Sequence, residues 1–205
     1  MEKDQIKEKI ILESIGLFMQ YGMKSVTMDD IARHMGISKK TIYQHFKDKE
    51  EIILSATERY LESELKVMES LQNISENAVE HLYKINVCIR DRMKNTNNSV
   101  LYDLKKYYSS AWEKYVTYKQ EVIFRLVLGI LKEGIAEGWF RSSINPELMA
   151  YLRLAEIELS FNREYFPDDH FTLSEIHEQL FEHFTYGILS EKGLQQFETY
   201  KQKAI

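Results

Sequence analysis

Between Ser38 and Phe46 the chain reads Ser-Lys-Lys-Thr-Ile-Tyr-Gln-His-Phe. Wound as a helix, this segment turns Ile42 and Phe46, four residues apart, toward one side. Lys39, Lys40, Thr41, Tyr43, Gln44 and His45 are left facing outward. That face offers ammonium groups, hydroxyls, an amide and an imidazole. Donors of such varied shape suit charged contacts to phosphates and hydrogen bonds to base edges. By geometry a lysine matches guanine O6 and N7, and a glutamine matches adenine N6 and N7.

A helix of this kind needs a neighbour to set it. Thr27-Met28-Asp29-Asp30 reads as an N-cap followed by acidic first-turn residues. It opens a short helix to about His34, with Met28, Ile31 and Met35 inward. Gly36 permits a tight turn, and Ser38 caps the next helix, Lys39 to His45. Two short helices joined by a glycine turn fit a helix-turn-helix, although such a pair also occurs in helical bundles that bind no DNA. The first crosses the DNA backbone and the second enters the major groove, about 12 Å wide. The recognition segment is therefore 27–46. Before it a helix runs from Asp4 to Tyr21 and stops at Gly22. After it Asp48, with Glu50 and Glu51 behind, caps a helix ending near Ser70.

The remaining chain also reads as helical. Its 205 residues include two prolines and eight glycines, too few breakers for a meander of strands. A helix is expected from Ser75 to about Met93, then a polar loop from Lys94 to Ser99. An aromatic-rich stretch with Tyr102, Tyr107, Tyr108, Trp112, Tyr115 and Tyr118 leads into a long helix to about Gly138. Asn145-Pro146 starts another, reaching about Tyr165. Thr172-Leu-Ser-Glu175 is a capping box for a last helix to about Leu189, and the tail from Glu191 is weakly periodic. The fold class is all-α with about nine helices.

Charge is distributed unevenly. The net charge is −5. Residues 1–49 carry nine Lys or Arg against seven Asp or Glu, a balance of +2, while the rest carries 18 against 25, or −7. A basic end on an acidic body is compatible with nucleic-acid binding by that end.

Other chemistries find no support in the sequence. The single cysteine, Cys88, rules out an intramolecular disulfide and a Cys-based zinc site. His170, His177 and His183 are seven and six apart, which does not set two imidazoles at i, i+4 on one face, so no metal is expected. No cofactor is implied. Neither a glycine-rich phosphate loop nor a nucleophile elbow is present, and the chain does not read as an enzyme. No stretch reaches the ~18 uncharged apolar residues of a membrane span, and the N-terminus lacks the pattern of a signal peptide. A cytoplasmic protein is expected.

The run Gly36-Ile37-Ser38-Lys39-Lys40-Thr41-Ile42-Tyr43-Gln44-His45-Phe46-Lys47-Asp48-Lys49-Glu50-Glu51-Ile52 resembles the signature of the tetracycline-repressor (TetR/AcrR) family. Phe18, Gly22 and the Thr27 to Ala32 segment agree with it in register. The resemblance covers about residues 4–64. It implies a DNA-binding domain over 4–64 and a ligand-binding and dimerisation domain over 65–205.

Roles for matched positions follow from the resemblance. Tyr43, His45, Thr27 and Lys49 would contact phosphates. Lys39, Lys40 and Gln44 would reach base edges or nearby phosphates, with Thr41 on the same face. Position 40 is often small in the family and is lysine here, so which of Lys39, Lys40 and Gln44 reads bases stays open. The implied protein is a homodimeric regulator, expected to be a repressor released from a palindromic double-stranded operator by a small-molecule effector. A different reading of the same sequence is a helical sensor or interaction module that binds no operator.

Dimerisation would use two apolar stripes, Leu148, Tyr151, Leu152, Ala155 and Leu159 on one helix, and Ile176, Leu180, Phe184 and Ile188 on the next. Either stripe could instead face the chain's own core. An effector pocket would draw on Cys88, Tyr108, Trp112, Tyr115, Arg153, Glu156 and Phe161. Arg153 and Glu156, three apart on one helix, could also simply pair with each other.

Overall fold

The computed structural model describes residues 2–162, 164–167 and 170–203. Among these residues it contains eleven α-helices and no strand longer than an isolated bridge. They are α1 (Glu2–Tyr21), α2 (Met28–Met35), α3 (Lys39–Tyr43), α4 (Lys49–Asn73), α5 (Ala78–Met93), α6 (Val100–Tyr107) and α7 (Ser109–Tyr118). After a π-helical turn at Lys119–Ile123 come α8 (Phe124–Ala136), α9 (Pro146–Leu159), α10 (Leu173–Ile188) and α11 (Glu191–Lys203). The all-α expectation holds.

The helix count exceeds the expected nine for local reasons. Tyr108 leaves helical backbone, with φ −133° and ψ 69°, and divides the aromatic stretch into α6 and α7. The tail is helical because Phe197 and Tyr200 have partners: Phe197 is buried and Tyr200 stacks on Tyr83. Residues 204–205 of the expected second domain lie outside the described residues. The helix expected to reach Tyr165 stops at Leu159, followed by turns closed by Asn162.

The chain divides into two compact units. The first is Met1–Glu64 with Asn95–Tyr118, and the second is Leu65–Lys94 with Lys119–Ile205. This differs from a boundary at 64 with one continuous second domain, because α6 and α7 pack with the N-terminal helices. Val100, Leu104 and Ala111 join the core of the first unit, built on Ile10, Phe18, Ile31, Ile42, Phe46, Ile52 and Ile53. Each fully buried side chain of this size contributes roughly 1.5–3 kcal/mol relative to exposure.

The seam between α1 and α6 explains Gly22. Its φ of +84° is left-handed, and a Cβ there would meet Ser99 Oγ at 2.6 Å. Just past it, the Lys24 N–H donates to the buried Asp103 carboxylate at 3.0 Å. The Asn97 N–H donates to the Met19 carbonyl at 2.6 Å. A periodicity reading sees the glycine as a helix stop; the fold also uses it to admit a second chain segment.

In the second unit α5, α8, α9, α10 and α11 surround a core that includes Val79, Leu82, Ile130, Leu131, Phe140, Phe181, Ile188 and Phe197. Its α10 opens with the expected capping box: the Glu175 N–H donates to Thr172 Oγ1, and the Thr172 N–H donates to the Glu175 carboxylate.

Candidate nucleic-acid interface

Local chemistry in 27–46 builds the two short helices as the residues suggest. Thr27 caps α2, and its hydroxyl and N–H both donate to the Asp30 carboxylate, at 2.6 and 2.9 Å. These bonds hold the Asp30 carboxyl below the usual carboxylate range. The first amides of α2, at Met28 and Asp29, have no intrahelical acceptor and point out of the helix start. Gly36 closes α2 at φ +65°, donating to the carbonyl of Arg33, and the Ile37 N–H donates to that of Ala32. Ser38 then accepts from the Thr41 N–H at 3.1 Å and caps α3.

The helix α3 is shorter than expected. Regular α geometry ends at Tyr43, and Gln44, His45 and Phe46 continue the turn through bonds back to Lys40, Thr41 and Ile42. The register survives. Ile42 and Phe46 are buried, anchoring the helix to Ile31, Ile52 and the rest of the core. Tyr43 is 49% exposed, Lys40 and Gln44 are exposed, and Thr41 and His45 are half-buried.

Two residues expected to touch DNA have partners within the protein. The Lys39 ammonium lies 2.8 Å from the Asp29 carboxylate, tying α3 to α2. Lys49 turns away from solvent: its ammonium donates to the carbonyls of Met23, Lys24 and Val26 at 3.0, 3.3 and 2.9 Å. It also sits 5.8 Å from the Tyr108 ring centre. Burial lowers its pKa, opposed by the Asp103 charge. A phosphate contact from Lys49 would require giving up these bonds. Its geometry is instead that of a clamp on the turn leading into Thr27. The lysine's position at the start of α4 is visible in sequence, whereas the carbonyls that claim it are not.

This arrangement is a positively tipped, hydrogen-bonding helix face on a rigid apolar anchor, next to a helix N-terminus. Residues 10–56 match the family model described as bacterial regulatory proteins, tetR family. Over this head the chain is similar to the TetR family.

Among curated relatives, the HTH-type transcriptional regulator YvaF of Bacillus subtilis is 28% identical over 187 residues, covering 90% of this chain and 96% of that protein. The HTH-type transcriptional repressor KstR2 of Mycolicibacterium smegmatis is 24% identical over 157 residues, covering 70% and 71%. A transcriptional regulator of Saccharomonospora viridis, solved in complex with choline, shares the fold with a TM-score of 0.72 at 17% identity, covering 92% of this chain and 100% of that one.

The residues expected to line an effector pocket fall in both units. Tyr108, Trp112 and Tyr115 are half-buried in the first unit and pack against its core. Cys88, Arg153, Glu156 and Phe161 belong to the second. There Arg153 and Glu156 do pair, at 3.1 Å, and both are buried. The guanidinium also lies over the rings of Phe181 and Phe184, at 5.4 and 5.6 Å. Burial opposes both charges, lowering the Arg153 pKa and raising that of Glu156.

His177 carries no signal in the sequence beyond its spacing from His170 and His183. It is buried, and its Nε2 has no hydrogen-bond partner among the described residues. Burial first, then the charges of Arg153 and Arg90, push its pKa down to about 3. Asn86 on the adjoining α5 likewise buries a carbonyl oxygen without a partner among the described residues. No group of three or more His, Cys, Asp or Glu placed to hold a metal occurs among the described residues. No described helix is long and apolar enough to cross a membrane.

The two expected dimer stripes separate cleanly. On α9, Leu148 is 60%, Tyr151 57% and Leu152 44% exposed, Ala155 is exposed, and Leu159 is half-buried. On α10, Ile176, Phe184 and Ile188 are buried and Leu180 is half-buried. The α10 stripe therefore faces this chain's own core, because α5 and α9 pack with α10 and Phe184 and Ile188 join the core of the second unit. Apolar periodicity marks both faces alike and cannot tell which one the fold covers.

Proposed function

We propose that this chain is a homodimeric repressor of the TetR family that binds a palindromic operator and releases it when a small molecule occupies its second unit. The observation carrying this reading is the exposed face Lys40, Tyr43 and Gln44 on a helix pinned by buried Ile42 and Phe46. One such head holds DNA weakly and mostly through salt-sensitive phosphate contacts. Two heads in successive major grooves, about 34 Å apart, give a specific site. The uncovered apolar face of α9 supports pairing with a second copy. The repressor sign is supported by the name of the KstR2 relative. The protein acts in the cytoplasm, beside its DNA.

Within the second unit, the effector contacts are Arg153, Glu156, Phe161 and Cys88, to which His177 and Asn86 are added. The unmatched buried polar atoms of His177 and Asn86 suit a ligand with an apolar body and a polar end. Binding shifts the population toward dimers whose heads no longer fit the operator spacing. A protein of the same fold was solved in complex with choline, which supports a small-molecule effector.

The test is operator selection from genomic fragments, followed by anisotropy titrations. Changing Lys40, Tyr43 and Gln44 together to alanine is expected to abolish specific binding while leaving the fold intact. Unchanged operator affinity in that variant would instead favour a sensor that reads no DNA through α3.

A further inference from the structure

The outward face of α6 carries a second cluster of cations beside the recognition head. Tyr102, Lys105 and Lys106 are exposed on one side of the helix, while Val100, Asp103 and Leu104 are buried on the other. The Lys106 ammonium donates to the Tyr102 hydroxyl at 2.6 Å and lies 5.4 Å from the Tyr107 ring centre. Lys24, from the turn before α2, donates to the Tyr107 hydroxyl at 3.3 Å and sits 4.8 Å from the same ring. Among the described residues none of Lys24, Lys105 and Lys106 is ion-paired.

We propose that Lys24, Lys105 and Lys106, with the hydroxyls of Tyr102 and Tyr107, form a further DNA-backbone site that extends the helix-turn-helix contact along the duplex. The proposal rests on the reading of the head as a DNA binder.

Three features select a phosphate as the occupant. The charge is complementary: Lys24 and Lys106 converge on the Tyr107 ring, Lys105 adds a third cation on α6 beside Trp112, and the carboxylate of α6, Asp103, is turned inward onto Lys24 N–H and Ser99. The hydrogen bonding has a direction. Each phenol oxygen accepts from a lysine, so its own hydrogen is left to donate, and an anion is the partner such a hydrogen takes. The patch is also continuous with the candidate interface. Lys24 lies three residues before Thr27, and its backbone is bonded to α6 itself. The bonds from Lys24 N–H to Asp103 and from Asn97 N–H to Met19 fix α6 to the head as part of one compact unit, so the two surfaces meet DNA as one body.

The experiment measures binding of random-sequence duplex DNA by anisotropy across a salt series. The variant Lys24→Gln, Lys105→Gln, Lys106→Gln removes three charges and keeps the side-chain stems. The salt slope is expected to fall by about 0.9 for every phosphate that a protomer no longer neutralises. A Tyr102→Phe, Tyr107→Phe variant keeps the rings and removes the hydroxyl donors. It is expected to weaken binding to any sequence equally, and it serves as the second readout if the triple variant folds poorly. A wild-type slope and affinity in both variants, alongside a reduced slope in Lys40→Gln, would overturn the α6 site and leave the head as reader. Failure of the wild-type protein to bind duplex at about 50 mM salt would overturn both.

Discussion

The Lys39 ammonium is 2.8 Å from the Asp29 carboxylate, so the first residue of α3 is tied to the first turn of α2. The bond raises the Lys39 pKa and keeps the lysine charged. It also screens an acidic group that would otherwise face phosphate. Asp29→Asn is expected to free Lys39 and strengthen DNA binding, with a salt slope steeper by up to about 0.9. The melting temperature should hardly move, since the pair is exposed. Anisotropy across a salt series, with a thermal melt, checks both.

Lys49 is expected to behave as a structural residue. Lys49→Met removes the donor shared by the carbonyls of Met23, Lys24 and Val26. Two of these contacts are part-buried and one is exposed, so losing them costs toward the low end of the range for an unsatisfied acceptor, about 1 kcal/mol. Urea denaturation should show that loss, with Lys49→Arg recovering part of it. The salt slope of the folded fraction should stay at the wild-type value; a slope lower by about 0.9 would restore Lys49 as a phosphate contact.

His177 gives the second unit a pH dependence of known sign. Its folded pKa, about 3, lies below its ordinary value of 6.5 because burial disfavours the imidazolium. The unfolded chain therefore binds more protons between those values, and stability rises with pH through that window. Stability is fully present above about 6.5 and is lost as pH falls toward 3, at up to about 1.4 kcal/mol per unit. His81 is shifted the same way by burial. Urea midpoints should drop between pH 7 and pH 5 in the wild type and drop less in His177→Gln.

The α9 face offers a clean test of assembly. Leu152 is 44% exposed in the single chain, so Leu152→Lys leaves the core untouched. A charge there would be buried between two copies and left unpaired, which is costly. Sedimentation should find a folded monomer, and operator affinity should collapse with it. A variant that remains dimeric would move the interface elsewhere.

The sequence by itself determined the helix-turn-helix, because its signals are local. Thr27 and Asp30, Gly36 with its left-handed backbone, and Ser38 with Thr41 each act within four residues. Ile42 and Phe46 announce the buried side of α3 by spacing alone. The capping box at Thr172 and the proline at the start of α9 are legible for the same reason.

Only the tertiary structure decided the rest, since it depends on residues far apart in the chain. Lys49 meets carbonyls 23 to 26 positions away, and Asp103 meets Lys24 across 79. Tyr108, Trp112 and Tyr115 read as pocket aromatics until α6 and α7 are seen to pack on the head. The stripes on α9 and α10 have the same periodicity, and packing buries one and leaves the other open. A side chain's type sets what it can bond or bury. Which partner reaches it first is fixed by how the helices pack, and that information is not held in any short stretch of sequence.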